Sequence, residues 1–221
     1  MNRLSQNKMK FFIVISSVLL ISALGFKTNS NSSISTESDI KNIWNSSSFK
    51  KDIAFEVFLP AMKGFYNYNF TKTDKIVIVD YTKPSTQKRF YIIDLKNKSL
   101  LNSELVAHGK NTGANLATEF SNKPESLKSS LGIFKTAETY HGKHGFSLRL
   151  DGLEPGKNDN ARKRAIVIHG AKYVSKSFAS KHGRLGRSWG CPALPVSKTK
   201  EIINKISGGT CLYIHGTKKS D

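Results

Sequence analysis

The hydrophobic pattern of the chain changes at residue 74, after which short apolar runs alternate with polar turns. Runs rich in Val, Ile, Tyr and Phe that are bounded by Gly, Asn and Asp are typical of β-strands. The pattern predicts strands over residues 75–81, 88–95, 100–108, 131–137, 146–150, 164–169 and 210–215. Because the first three are consecutive and joined by short turns, we expect a mostly β fold with minor α and a mostly antiparallel sheet.

Two further segments have the pattern of helices. Large apolar residues within 49–70 recur at steps of three and four, the spacing of one helical face: Phe55, Phe58, Leu59, Met62, Phe65 and Tyr66. Pro60 interrupts this segment, and since proline inside a helix costs about 3 kcal/mol, we expect a kink or two shorter helices. A second helix is predicted over residues 198–206, with Ser197 as its N-cap and Gly208 beyond its end.

The first 25 residues have the pattern of an export signal. Arg3, Lys8 and Lys10 precede an apolar run over residues 11–24, which is short for the roughly 20 residues of a membrane span. Small residues around Gly25 favour cleavage there, leaving no stable membrane span, and an uncleaved anchor is the alternative. No cysteine follows the run, which argues against a lipoprotein. Both versions predict a periplasmic or cell-envelope location.

The predicted organisation has four parts. Residues 1–25 form the signal peptide, and residues 26–48, rich in Ser, Asn and Thr, form a disordered tether because they hold too few apolar groups to offset the entropy of ordering. Residues 49–72 form a helical N-terminal segment. Residues 73–217 form the β domain, which carries the chemistry described below.

The charge of the chain favours anionic partners. Its 221 residues include 35 Lys and Arg but 16 Asp and Glu, a net charge of +19, and the chain without residues 1–25 keeps +16. Such a surplus predicts anionic partners or surroundings and says nothing about the fold. In an exported protein this points to anionic polymers of the cell envelope and away from nucleic acid.

The candidate chemistry is concentrated around Cys191. A cysteine nucleophile needs a base, an electropositive setting that favours thiolate, and backbone amides that stabilise an oxyanion. His169 ends an apolar strand and is the candidate base, while Arg184 and Arg187 add positive charge. Gly190 permits a tight turn that directs the amides near Cys191 toward a substrate carbonyl.

Each of these residues also has a structural interpretation. Cys191 and Cys211 could form a disulfide in an oxidising compartment. Against this, Cys211 begins an apolar strand and has the pattern of a buried thiol, whereas Cys191 lies among glycine, arginine and tryptophan. His169 alone could be a structural histidine, but its pairing with a cysteine 22 residues later favours a catalytic function.

These residues resemble a known family. His169 and Gly170 followed by Ser188-Trp-Gly-Cys191 are similar to the signature of L,D-transpeptidase catalytic domains, in which a His-containing strand precedes a Ser-His-Gly-Cys loop. The likeness covers residues 75–216, includes the glycine-centred strand 130–134, and is greatest to the divergent murein branch with a Trp-Gly-Cys-Pro-Ala ending. It implies a β-sandwich-like fold, a wall-facing location, and a Gly170 carbonyl that orients the base. It also implies cleavage between a diamino acid and D-alanine in a peptidoglycan stem peptide.

The sequence departs from the family pattern at two positions. Trp189 stands where the commoner pattern has histidine, and Ala193 stands near a usual arginine or asparagine. An indole cannot accept a proton, so any auxiliary role of the missing histidine falls to another group. Candidates are His144, His182 and Tyr140, and we favour His144 because a glycine-rich loop between two predicted strands can carry binding residues.

We therefore expect an exported acyltransferase that forms an acyl-thioester on Cys191 and passes the stem peptide to an amine. The predicted site comprises Cys191, His169 and Gly170 as catalytic residues, with oxyanion or substrate contacts from Gly190, Ser188, Trp189, Arg187, His144 and Tyr140. Neither a metal nor a cofactor is expected, because the spacing of His169, His182, Cys191 and His215 fits no zinc pattern.

Other functions use the same residues differently. A peptidoglycan L,D-carboxypeptidase or amidase would have the same Cys-His pair, with water resolving the thioester. A non-catalytic envelope-binding module would use the basic surface alone. A papain-like pairing of Cys191 with His215 is disfavoured because the two lie 24 residues apart. A sortase is disfavoured because no strand ends in threonine followed by cysteine.

Overall fold

A computed structural model describes residues 36–217. Four α-helices and one 3-10 helix accompany a sheet in this part of the chain. The helices are α1 Glu37–Asn45, α2 Phe55–Asn67, α3 Lys176–His182 and α4 Val196–Ile206, and the 3-10 helix is Ser48–Lys51. The strands are β1 Lys72–Asp80, β2 Phe90–Asp94, β3 Ser99–Glu104, β4 Gly132–Gly142, β5 Gly145–Gly152, β6 Val167–Gly170, β7 Ala193–Leu194 and β8 Thr210–His215.

The eight strands form one sheet in the order β3-β2-β1-β8-β4-β5-β6-β7. Neighbours pair antiparallel except for β1 with β8 and β6 with β7, which are parallel. The prediction of a mostly β, mostly antiparallel fold with a short helical segment before it is confirmed.

The central strand β1 is buried on both sides of the sheet. Because successive side chains of a strand point to opposite faces, Ile76 and Ile78 enter the core shared with α1 and α2, whereas Val77 and Val79 enter the core shared with α4. Leu148 of β5 and Ile168 of β6 belong to the same cluster as Val77 and Val79. The far end of the sheet therefore closes over one hydrophobic core in a sandwich-like manner.

The expected tether is wrong for residues 36–48, because α1 occupies most of this segment. Thr36 and Asp39 form a capping box that satisfies the first amides of α1. Ile40 is fully buried, and the Trp44 indole donates a hydrogen bond to the Ile53 carbonyl at 2.8 Å. A few well-spaced apolar residues thus order a polar segment by docking on α2. The predicted signal peptide and the start of the tether lie outside the described residues.

The other helices also differ in detail from the prediction. α2 is a single helix that contains Pro60, so the alternative of two shorter helices is wrong. α4 begins after Pro195, whose carbonyl accepts from the Lys198 and Thr199 amides, so the prediction of Ser197 as its N-cap is wrong. α3, capped by Ser175 and ended by Gly183 with φ +68°, was not predicted from the sequence. No helix within residues 36–217 is long and apolar enough to cross a membrane.

Candidate active site

Cys191 and His169 line one cavity of about 320 Å³. The cavity also contains five other residues of the predicted site: Ser188, Trp189, Arg187, His144 and Tyr140. Five further lining residues were not predicted from the sequence: Lys143, Arg164, Ala165, Val167 and Tyr173. The structure therefore gathers most of the predicted residues around one space large enough for part of a peptide.

The loop that carries Cys191 is held in a tight turn. Gly190 has φ +125°, and a Cβ at this position would lie 2.8 Å from the Lys128 carbonyl oxygen, so only glycine fits. The Ser188 hydroxyl accepts from the Gly190 amide at 3.1 Å and donates to the Cys191 carbonyl at 2.6 Å. Ser188 therefore sets the shape of the turn from within, because its buried hydroxyl makes both of these hydrogen bonds.

A neighbouring segment, residues 108–113, anchors this loop. The Ser188 amide donates to the His108 carbonyl at 2.9 Å, and the Lys110 amide donates to the Ser188 carbonyl at 2.8 Å. The Arg187 guanidinium donates to the carbonyls of Lys110 and Gly113. Arg187, predicted as a substrate contact, thus also stabilises the loop through these two hydrogen bonds.

Beneath this segment lies a buried polar network. The fully buried Arg89 donates to the Val106 carbonyl and, at 2.8 Å, to Nδ1 of His108. Because Nδ1 is then the acceptor, the proton of His108 lies on Nε2, 3.3 Å from the Gly113 carbonyl oxygen. Burial, together with the nearby Arg89, lowers the pKa of His108 to about 4. A neutral His108 therefore links the buried Arg89 to the segment that holds Ser188.

His169 lies at the end of β6, in register with Ala193 of β7. Its Nδ1 donates to the Gly170 carbonyl at 3.0 Å, which leaves Nε2 as the proton acceptor. Burial lowers its pKa, and the neighbouring His144 and Lys143 lower it further, whereas the Gly170 hydrogen bond raises it. The imidazole is therefore neutral at pH 7 and able to act as a base.

His144 lies directly against His169. The two rings stack with centroids 4.4 Å apart and planes 24° from parallel. His144 sits at the tip of the hairpin between β4 and β5, where Gly142 pairs with Gly145. Of the three candidates for an auxiliary group, His144 and Tyr140 line the cavity, whereas His182 packs on Phe178 within α3 and does not.

Cys191 carries a free, half-buried thiol. Its Sγ accepts from the Val167 amide at 3.5 Å and lies 3.6 Å from the Ala165 carbonyl oxygen. Burial raises the pKa of the thiol, while the Val167 amide and the charges of Arg164 and Lys143 oppose that rise. The resting thiol is therefore protonated, and the opposing charges come from Arg164 and Lys143 instead of the predicted Arg184 and Arg187.

The backbone amides of the loop differ in availability. The Gly190 amide donates to the Ser188 hydroxyl and is therefore not free to bind an oxyanion in this structure. The amides of Trp189 and Cys191 have no acceptor within residues 36–217. These two amides are the candidates for an oxyanion site, and Gly190 contributes through its backbone conformation.

The two departures from the family motif have different surroundings. The Trp189 side chain is 68% exposed at the mouth of the cavity, and the Lys143 Nζ lies 5.1 Å from its ring centroid. Ala193 is fully buried beside Ala107 and cannot contact a substrate. Arg164 supplies positive charge near the thiol, while its guanidinium donates to the Ser121 and Lys128 carbonyls.

The alternative interpretations can be compared with this geometry. Both cysteines are free and Cys211 is buried in the core, so the disulfide is excluded. Nδ1 of His215 is hydrogen-bonded to the Tyr213 hydroxyl at 3.0 Å, and His215 does not line the cavity of Cys191. The papain-like pairing of Cys191 with His215 is therefore excluded. In the described part of the chain, no three His, Cys, Asp or Glu side chains are grouped as metal ligands would be.

Some of the missed residues could have been found from strand alternation. Val167 and His169 lie two positions apart on β6, and His144 shares its hairpin tip with Lys143. Side chains two apart on a strand share a face. Tyr173 offered no such signal, because it follows the strand in an irregular segment.

Several solved structures are similar to this chain at low identity. An L,D-transpeptidase from Stackebrandtia nassauensis is 15% identical, with 83% of this chain and 79% of that chain covered and a TM-score of 0.40. The helical cell shape determining protein Pgp2 from Campylobacter jejuni is 14% identical, covering 68% and 50%, with a TM-score of 0.45. An L,D-transpeptidase from Mycobacterium smegmatis is 12% identical, covering 65% and 59%, with a TM-score of 0.40. The chain thus spans less than two thirds of the latter two proteins.

No curated protein sequence matches the chain. A family model described as the L,D-transpeptidase catalytic domain matches residues 49–215. This range includes α2, the whole sheet, and both Cys191 and His169. The chain therefore belongs to the L,D-transpeptidase catalytic domain family.

Proposed function

We propose that this protein is an exported cysteine L,D-transpeptidase that acts on peptidoglycan stem peptides. The observation that carries the proposal is the shared cavity of Cys191 and His169, in which the Gly170 carbonyl fixes the proton of His169 on Nδ1. Membership of the family supplies the substrate class, a stem peptide that ends in a diamino acid and D-alanine. The N-terminal signal pattern of residues 1–25 supports export.

The proposed reaction begins from a neutral thiol and a neutral imidazole. Nε2 of His169 takes the proton of Cys191 as Sγ bonds to the carbonyl carbon of the diamino acid residue. The free amides of Trp189 and Cys191 stabilise the oxyanion, and the imidazolium returns the proton to the departing amine of D-alanine. An acyl-thioester remains on Cys191.

A second amine completes the transfer. It attacks the thioester carbon, His169 Nε2 takes its proton, and the imidazolium passes this proton to Sγ as the C–S bond breaks and the Cys191 thiol is released. The exposed Trp189 at the mouth of the cavity lies where an incoming strand would approach. Water in place of the amine gives a carboxypeptidase from the same intermediate.

The test is exchange of the terminal residue of a stem tetrapeptide. The full chain is incubated with the tetrapeptide and an excess of a different D-amino acid, and the products are identified by mass spectrometry. We expect the exchanged tetrapeptide, no product with Cys191→Ala, and full exchange with the matched control Cys211→Ala. Free tripeptide alone would establish a hydrolase, and exchange by Cys191→Ala would overturn the proposed nucleophile.

A further inference from the structure

A second cavity, of about 570 Å³, shares no residue with the cavity of Cys191. It lies where β6 and β7 end and α3 and α4 begin. Four exposed lysines surround it, namely Lys88, Lys172, Lys176 and Lys198, and we refer to it as the lysine groove. Ala171, which lines the groove, lies only two residues after His169, but no residue of the proposed reaction lines the groove.

The charges of the lysine groove are not balanced by the protein. Lys88, Lys172 and Lys176 form no salt bridge within residues 36–217, and Lys198 approaches Glu201 only at 3.9 Å. Glu104 is the single carboxylate among the lining residues. Cations that converge on one cavity repel one another and create a positive potential, so the groove favours an anion in which several charges are linked.

The start of α4 adds hydrogen-bond donors to the same cavity. This helix of 11 residues has no side-chain cap, and the amides of Val196 and Ser197 have no acceptor in the described part of the chain. Free amides at a helix N-terminus favour phosphate oxygens. These amides add to the positive potential of the four lysines, which carry most of the charge of the groove.

The shape of the groove indicates a polymer instead of a single ion. One phosphate group cannot contact four lysines spread around a cavity of about 570 Å³. Leu105, Val174 and Val196 also line the groove, and the 58% exposed Val196 offers an apolar contact for the carbon backbone of a linear chain. No aromatic residue lines the groove, so it lacks the stacking surfaces on which nucleic-acid bases are bound.

We propose that the lysine groove binds a phosphodiester-linked polymer of the cell envelope, of the glycerol-phosphate type. This binding site goes beyond the proposed transpeptidase activity and does not depend on it. Because each lysine is exposed and hydrated, a single contact contributes little and binding depends on several contacts at once. Binding of this kind weakens steeply with salt, and it would hold the enzyme on the polymer while Cys191 stays accessible.

The test measures binding of a fluorescent glycerol-phosphate oligomer to the full chain by anisotropy. Lys172→Glu with Lys176→Glu changes the groove, and Lys51→Glu with Lys96→Glu is the matched control, because it alters the net charge equally at exposed positions outside the groove. We expect the groove variant to bind at least about 10-fold more weakly and the control to stay within about 2-fold of the unaltered protein. The slope of log Kd against log salt concentration should fall only in the groove variant.

Three outcomes would overturn the proposal. The first is equal weakening of oligomer binding in both double variants, which would indicate an effect of net charge alone. The second is failure of the unaltered protein to bind the oligomer. The third is tighter binding of a single-stranded oligonucleotide with the same number of phosphates. Thermal midpoints of both variants control for folding. Turnover of a soluble stem peptide should be unchanged in both, so the transpeptidase proposal can fail or hold separately.

Discussion

The two cysteines of this protein differ in their access to solvent and in the groups that surround the thiol. Cys211 lies on β8 within the core beneath α2, is fully buried, and has a pKa raised by burial alone. Cys191 lies on a turn beside a cavity, and although burial also raises its pKa, an amide and two cations oppose the rise. The same side chain is therefore a packing element in one region and a candidate nucleophile in the other.

This difference arises from neighbours that are distant in sequence. Arg164 precedes β6, Val167 begins it, and Lys143 comes from the tip of the β4–β5 hairpin. They meet Cys191 only because β5 pairs with β6 and the turn of Ser188 is anchored beside them. Changes around Cys191 should therefore affect turnover, and changes around Cys211 should affect stability.

The largest effect is expected from removal of the base. His169→Ala should lower kcat/KM for stem-peptide exchange by about 10²- to 10⁴-fold, because the proton of Cys191 loses its acceptor. His215→Ala is the control, since His215 lies outside the cavity. Steady-state kinetics give kcat/KM of both variants. An equal loss of kcat/KM in His169→Ala and His215→Ala would contradict the assignment of His169 as the base.

The next largest effect is expected in the core that contains Cys211. Ile40→Ala should lower the free energy of unfolding by about 2–4 kcal/mol, because Ile40 is fully buried in the cluster that contains Cys211. Turnover by the folded protein should not change. Urea unfolding gives the stability, and a loss below about 0.5 kcal/mol would mean that α1 does not dock on α2 in solution.

A smaller effect concerns the pH dependence of catalysis. The pKa of His169 lies below its ordinary value, so the acid limb of kcat/KM should lie below pH 6.5. Removing His144 relieves burial and removes a neighbouring charge, and both changes raise the pKa of His169. The acid limb of kcat/KM should therefore lie at higher pH in His144→Ala than in the unaltered protein. His141→Ala, on the same hairpin, is the control and should not move the acid limb. An acid limb that also stays in place in His144→Ala would contradict the inference that His144 lowers the pKa of His169.

The smallest effect is expected at Lys143. Its charge stabilises the thiolate of Cys191, so Lys143→Gln should raise the pKa of the thiol and slow alkylation by iodoacetamide at fixed pH. Because the charge is exposed to solvent, the slowing should not exceed about 5-fold. Lys96→Gln serves as the control, and faster alkylation of Lys143→Gln would reverse the assigned electrostatics.

Much of the fold could be predicted from the sequence because its strands follow the alternation of apolar residues. β1 and β8 were recognised from Ile, Val and Tyr runs that are buried in the structure. α1 was missed because most of its residues are polar and only Ile40 is buried. Its order depends on docking against α2, a tertiary interaction that local composition does not reveal.

The candidate site was predictable only in part. Cys191 and His169 carry chemistry that few other residues can perform, so their types and spacing predicted that they share a site, and both line one cavity. The role of Ser188 could not be predicted, because a hydroxyl that accepts the Gly190 amide looks the same in sequence as one that contacts substrate. Arg164 is similarly ambiguous, since its charge reaches the thiol through a fold that brings β6 beside the turn.

In the proposed reaction Cys191, and not Cys211, forms a covalent bond with substrate. The most direct measurement is peptide-mapped mass spectrometry of the full chain, quenched with acid shortly after mixing with a stem tetrapeptide. We expect an added mass equal to the tripeptide acyl group on the peptide that contains Cys191, and none on the peptide that contains Cys211. An adduct on Cys211, or turnover of the tetrapeptide without any adduct on Cys191 in the single-turnover time course, would contradict it.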